Sequence, residues 1–166
     1  MEAKNAIQLA YESASHQARV DCQKKQVDNL RMYNSAKAEK NQRLTELQNK
    51  YHTEQNKLLH EVDECIAMRN LLLRKGYQPF STPVEDNQRT ERDLHGKLRD
   101  LKAQYQADTR QVRNELMELR VIYEANCATL REEMEQRLLG ARTAFCEEMN
   151  KLEEVAEVEP ETVEAK

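Results

Sequence analysis

The sequence predicts an all-α protein: two long helices joined by a short Gly/Pro loop, folded back as an antiparallel coiled-coil hairpin, with a disordered acidic C-terminal tail. Three observations carry this. The 166 residues include only three glycines and three prolines, where average composition would place about twenty. Apolar residues recur at helical spacing through both halves. Half of the six helix breakers fall together in LLLRKGYQPFSTPVED, Leu71 to Asp86.

The first helix is expected over 1–75. Leu44, Leu47, Tyr51, Leu58, Val62, Cys65, Ile66 and Leu72 are separated mostly by three, four and seven residues, so they share one helix face. Gln55 and Arg69 fill gaps in the stripe, which reads as a coiled-coil seam with a phase slip.

A reversal loop is expected over 76–82. Arg74 and Lys75 suit the negative end of a helix dipole. Gly76 suits the left-handed position just past a helix end, and Pro79 cannot continue the helix. Thr82 then reads as an N-cap, with Pro83 in the first helical position and Glu85 completing a capping box.

The second helix is expected over 83–156. Leu94, Leu98, Leu101, Tyr105 and Val112 keep a heptad phase. Leu116, Leu119, Tyr123, Leu130, Met134, Leu138, Ala141, Phe145 and Leu152 continue it with four-residue steps, which unwind a supercoil locally. The tail, 157–166, alternates Glu with Val and Ala around Pro160.

Each arm would reach roughly 110 Å at 1.5 Å per residue. A short connection makes the two antiparallel neighbours. Centring the hairpin on Pro79 sets residue i beside residue 158 − i. Leu58 then faces Leu98 to Leu101, Leu44 and Leu47 face the region of Val112, and Ala10, Ala14 and Ala18 face Gly140, Ala141 and Ala144. In that register small side chains meet small ones, which would give Gly140 a packing role.

One mismatch bears on function. Residues 31–43, RMYNSAKAEKNQR, lack large apolar groups, whereas the opposing segment offers Leu116, Met117, Leu119, Val121, Ile122 and Tyr123. The surplus points to a further helix from another coiled-coil protein or a second copy, with Leu116, Leu119, Ile122 and Tyr123 as partner-binding residues. A second candidate surface is the loop, where Leu72, Tyr77 and Phe80 form either a docking knob or a plug that seals the turn. Thr82-Pro83 is a minimal site for proline-directed phosphorylation, and a phosphate at a helix N-terminus is stabilised by free N–H groups and the dipole.

The net charge of −4 and the lack of a basic stripe argue against direct nucleic-acid binding. Residues 1–75 carry 13 basic and 10 acidic groups, the rest 13 and 20, a weak complementarity between the arms. Cys22, Cys65, Cys127 and Cys146 form no CxxC pair, which suits reduced thiols in the cytosol or nucleus. No secretory leader is expected at the start, and no membrane span, since a span needs about 20 apolar residues. His60, Cys65, Asp93 and His95 come near one another in the hairpin register, but their separations do not resemble a zinc motif, so no metal or other cofactor is expected. Clustered glycines, a nucleophile elbow and HExxH are all missing. Neither catalysis nor a small-molecule substrate is expected. The expected function is that of a non-enzymatic scaffold subunit in a cytoskeletal or chromosome-segregation assembly. The alternative is an adaptor or chaperone-like hairpin that holds clients by its tip or acidic tail.

Overall fold

A computed structural model describes residues 2–158. Two helices account for nearly all of them: α1, Glu2–Arg74, and α2, Thr82–Val158. They pack antiparallel as a hairpin. The expected acidic tail lies outside the described residues from 159 onward, whereas 157 and 158 still belong to α2.

The end of α1 is built as the sequence predicts. Gly76 has φ of 90°. Its N–H donates to the carbonyl of Leu73 at 3.1 Å, and the Tyr77 N–H donates to that of Leu72 at 3.2 Å. Together these form a Schellman motif, which satisfies carbonyls that the helix end would leave unpaired. The start of α2 differs by one residue. The Ser81 carbonyl accepts from the Val84 and Glu85 N–H groups at 2.9 and 3.0 Å, so Ser81, not Thr82, is the capping residue. The Ser81 hydroxyl donates back to the Gln78 carbonyl at 2.7 Å, so no capping box forms. Thr82 and Pro83 sit in the first turn, where proline's missing N–H costs nothing.

The chain divides into two compact units, and the division cuts across both helices rather than falling at the loop. One unit, Ala36–Leu119, contains the loop. Its core is Val62, Val84, Leu94 and Val112, all 5% exposed or less. The rings of Tyr51 and Tyr105 stack at 4.4 Å. Lys40 and Arg43 both reach Glu115, at 2.7 and 3.5 Å, and Arg69 pairs with Glu91. The other unit, Met1–Ser35 with Arg120–Lys166, buries Ala18 and Cys22. Tyr11 meets Phe145 at 5.2 Å, and Tyr33 stacks on Tyr123 at 4.6 Å. Lys25 pairs with Glu133 and Asp21 with Arg137, both at 2.9 Å.

In each unit the aromatic pairs place residue i opposite residue 156 − i, two less than expected. The loop spans 75–81, so its midpoint is Gln78 rather than Pro79. This shift removes the packing role expected for Gly140: a Cβ there would meet nothing within 4 Å. The alanines still share a place. Ala6, Ala10 and Ala14 line an open groove of about 510 Å³ with Ala141 and Ala144.

The inward residues follow one rule in both helices. On α1, Ala18, Asn29, Lys40, Tyr51 and Val62 are all at least partly buried and eleven residues apart. On α2 the same holds for Leu94, Tyr105, Leu116, Cys127, Leu138 and Met149. The four-residue steps that look like slips in a heptad series are therefore regular members of an 11-residue repeat, which corresponds to about 3.67 residues per turn.

Candidate interaction surfaces

At the loop, the seven-residue turn leaves its apolar groups in two environments. Val84 is 1% exposed and Leu72 is half-buried, so these two seal the turn. Phe80 is 87% exposed, and Tyr77, Leu71 and Leu73 are also exposed. Phe80 therefore takes no part in the plug. Its ring sits in water on a turn held by the Schellman motif and the Gln78–Ser81 hydrogen bonds, and exposing so large an apolar group costs about 2 kcal/mol of unrealised burial. Thr82, the candidate phosphorylation site, is exposed in the first turn of α2.

Along α2, the sequence-predicted residues point in different directions. Leu116, Leu119 and Tyr123 are half-buried on the inward stripe, whereas Ile122 is exposed. The polar segment of α1 covers more than its composition suggests. In the loop unit, half-buried Lys40 donates from its ammonium to Glu115 at 2.7 Å. In the other unit, Tyr33 supplies a ring to Tyr123, and Asn29 makes a polar rung. Its amide donates to Cys127 Sγ at 3.4 Å and to the Tyr123 carbonyl at 3.5 Å, and its Oδ1 accepts from Asn126 at 3.3 Å.

Charge follows this geometry. The Lys40 hydrogen bond holds the Glu115 carboxyl below its ordinary value, and the Arg137 hydrogen bond does the same for Asp21. Glu124 raises the Arg120 guanidinium. The Cys127 hydrogen bond raises the Tyr123 phenol.

The residues that sequence reasoning missed lie on the faces turned away from the seam. In the unit remote from the loop, Leu9, Val20 and Val27 are exposed on α1 and Leu139 on α2, together with Val121, which the sequence already places in the apolar surplus. Seam-finding discards them as off-phase. Their own spacing was the available signal, since Leu9–Val27 and Val121–Leu139 are both eighteen residues apart, five helical turns.

His60 faces Glu64 on its own helix at 3.4 Å, His95 is exposed, and among the described residues no three His, Cys, Asp or Glu side chains are gathered to hold a metal ion. No described helix is long and apolar enough to cross a membrane. Compared with protein-family models, curated proteins and solved structures, the chain matches none.

Proposed function

We propose that this chain is a non-enzymatic structural subunit that assembles with other coiled-coil chains through helix–helix packing, in a cytoskeletal or chromosome-segregation setting. The observation that supports this reading is the large apolar side chains on helix faces the hairpin does not use. Leu9, Val27, Val121 and Leu139 are each more than half exposed. Two packed helices bury only one stripe each, and repeated outward apolar groups are what a further helix covers. The test is to tag the chain in its own cells, purify it gently and identify companions by mass spectrometry. Coiled-coil proteins recovered at near-equal amounts and resistant to salt support a scaffold subunit. Recovery alone and as a monomer, or with many clients at low occupancy, rejects it.

A second reading is favoured by one residue. Phe80 at 87% exposure suits an adaptor whose tip holds clients. Under it, Phe80→Ala abolishes client recovery and leaves the helical content unchanged. Under the scaffold reading the same variant keeps its stoichiometric companions.

A further inference from the structure

The outward faces of α1 and α2 in the unit remote from the loop match each other. On α1 the exposed residues Leu9, Ser13, His16, Val20, Lys24 and Val27 follow steps of four, three, four, four and three. On α2, read from its C-terminal side, Leu139, Glu135, Glu132, Ala128, Glu124 and Val121 follow the same steps, and all are exposed. Laid antiparallel, one alignment brings Leu9 to Leu139, Val20 to Ala128 and Val27 to Val121. The same alignment sets Lys24 against Glu124, His16 against Glu132, and Asp28 against Arg120. Thus every apolar position in the two stripes meets an apolar one, and the formal charges that meet, Lys24 with Glu124 and Asp28 with Arg120, are opposite.

From this double match we infer that a second copy of the chain docks its α1 outer face on the α2 outer face of the first. The inference rests on the scaffold reading and names the partner. Within one chain these faces are on different helices, each already engaged on its inward side, so they meet only between copies. Pairing the α1 face with itself in the alignment that sets Leu9 against Val27 leaves Val20 facing His16. The charge complementarity favours the unlike pair.

An interface between unlike faces leaves each docked pair with one free α1 face and one free α2 face, so growth continues until the arrangement closes on itself. The two-sided character gives a direct test. One variant carries Val20→Glu and Val27→Glu, which spoil the α1 face. Another carries Val121→Glu and Leu139→Glu, which spoil the α2 face. All four side chains are exposed, so circular dichroism is expected to show unchanged helix content, and any variant that loses helicity is replaced by Lys24→Glu or Glu124→Lys. Sedimentation velocity of the full chain, from low to high micromolar, should show mass rising with concentration for the wild type. Either double variant alone should be monomeric over that range, its self-association weakened by at least about tenfold. The two variants mixed should form one-to-one dimers that grow no further.

A wild-type chain that stays monomeric throughout overturns the inference. So does self-association that survives either double variant, or a mixture that remains monomeric. A monomeric wild type that still brings down stoichiometric coiled-coil companions from its own cells would reject self-docking and leave the scaffold reading standing.

Discussion

At the scale of single residues, the two ends of the burial range make opposite demands. Val112 is fully buried. Truncating it removes two methyl groups and leaves a void, so Val112→Ala should cost about 2–3 kcal/mol in chemical denaturation. Phe80, with most of its ring in water, should lose no more than about 0.5 kcal/mol on truncation to alanine. Measuring both in one urea series separates a core residue from a displayed one. Gly76 is a third case. Its φ of 90° is strained for any residue with a Cβ, although the space around it is open. Gly76→Ala should therefore destabilise by about 1–2 kcal/mol through backbone conformation alone. This glycine was legible from sequence, because a cationic last turn, a glycine and a nearby proline have few other uses. Phe80 was not, because the same apolar cluster fits a plug or a knob until the turn decides which side chains point inward.

At the scale of the helix, the polar rungs of α1 explain how a segment poor in leucine keeps its partner. Asn29 at an inward position costs apolar burial but demands specific hydrogen bonds, a known device for choosing one alignment over others. Asn29→Leu should raise the melting temperature and relax the alignment. Disulfide trapping between cysteines introduced at slipped positions reads the second effect. The ion pairs add a pH dependence whose sign is fixed. Glu115 and Asp21 both lie below their ordinary values of 4.5 and 3.8, because cations hydrogen-bond their charged forms. Their contribution is present above those ordinary values and is lost as pH falls through the depressed ones. A thermal melt repeated from neutral to strongly acid pH should show its midpoint falling in that window. Lys40→Met should flatten the part due to Glu115. Helix existence and the seam were readable because the apolar repeat is long. The alignment was misjudged by two residues because it depends on which loop residue is central, and Pro79 is only next to it. The cap was misjudged by one because Ser81 and Thr82 are both good caps by type, and only the carbonyl of Ser81 accepts the first helical bonds.

At the scale of the molecule, the two helices and the loop followed from composition and periodicity, but the division into two units did not. Nothing in the residue pattern marks the positions after Ser35 and Leu119 where the chain divides. The outer faces were equally hard to see. A search for one seam per helix treats Leu9, Val20, Val27 and Leu139 as incidental, since single exposed apolar residues are normal on any protein. Their order becomes visible only when both helices are read outward from a known seam.

The 11-residue repeat carries a further consequence, for length. Because both helices repeat with the same period, whole repeats are interchangeable lengths of helix. Removing 48–58 from α1 together with the facing 98–108 from α2 would return every remaining inward residue to an inward position. It would shorten each arm by about 16 Å at 1.5 Å per residue. A deletion of seven from each arm would instead turn the following residues off the stripe by about 33° on a 3.67-residue turn. The hairpin is thus a part whose length can be cut in fixed increments, and a series of such cuts would show how much reach its assembly needs.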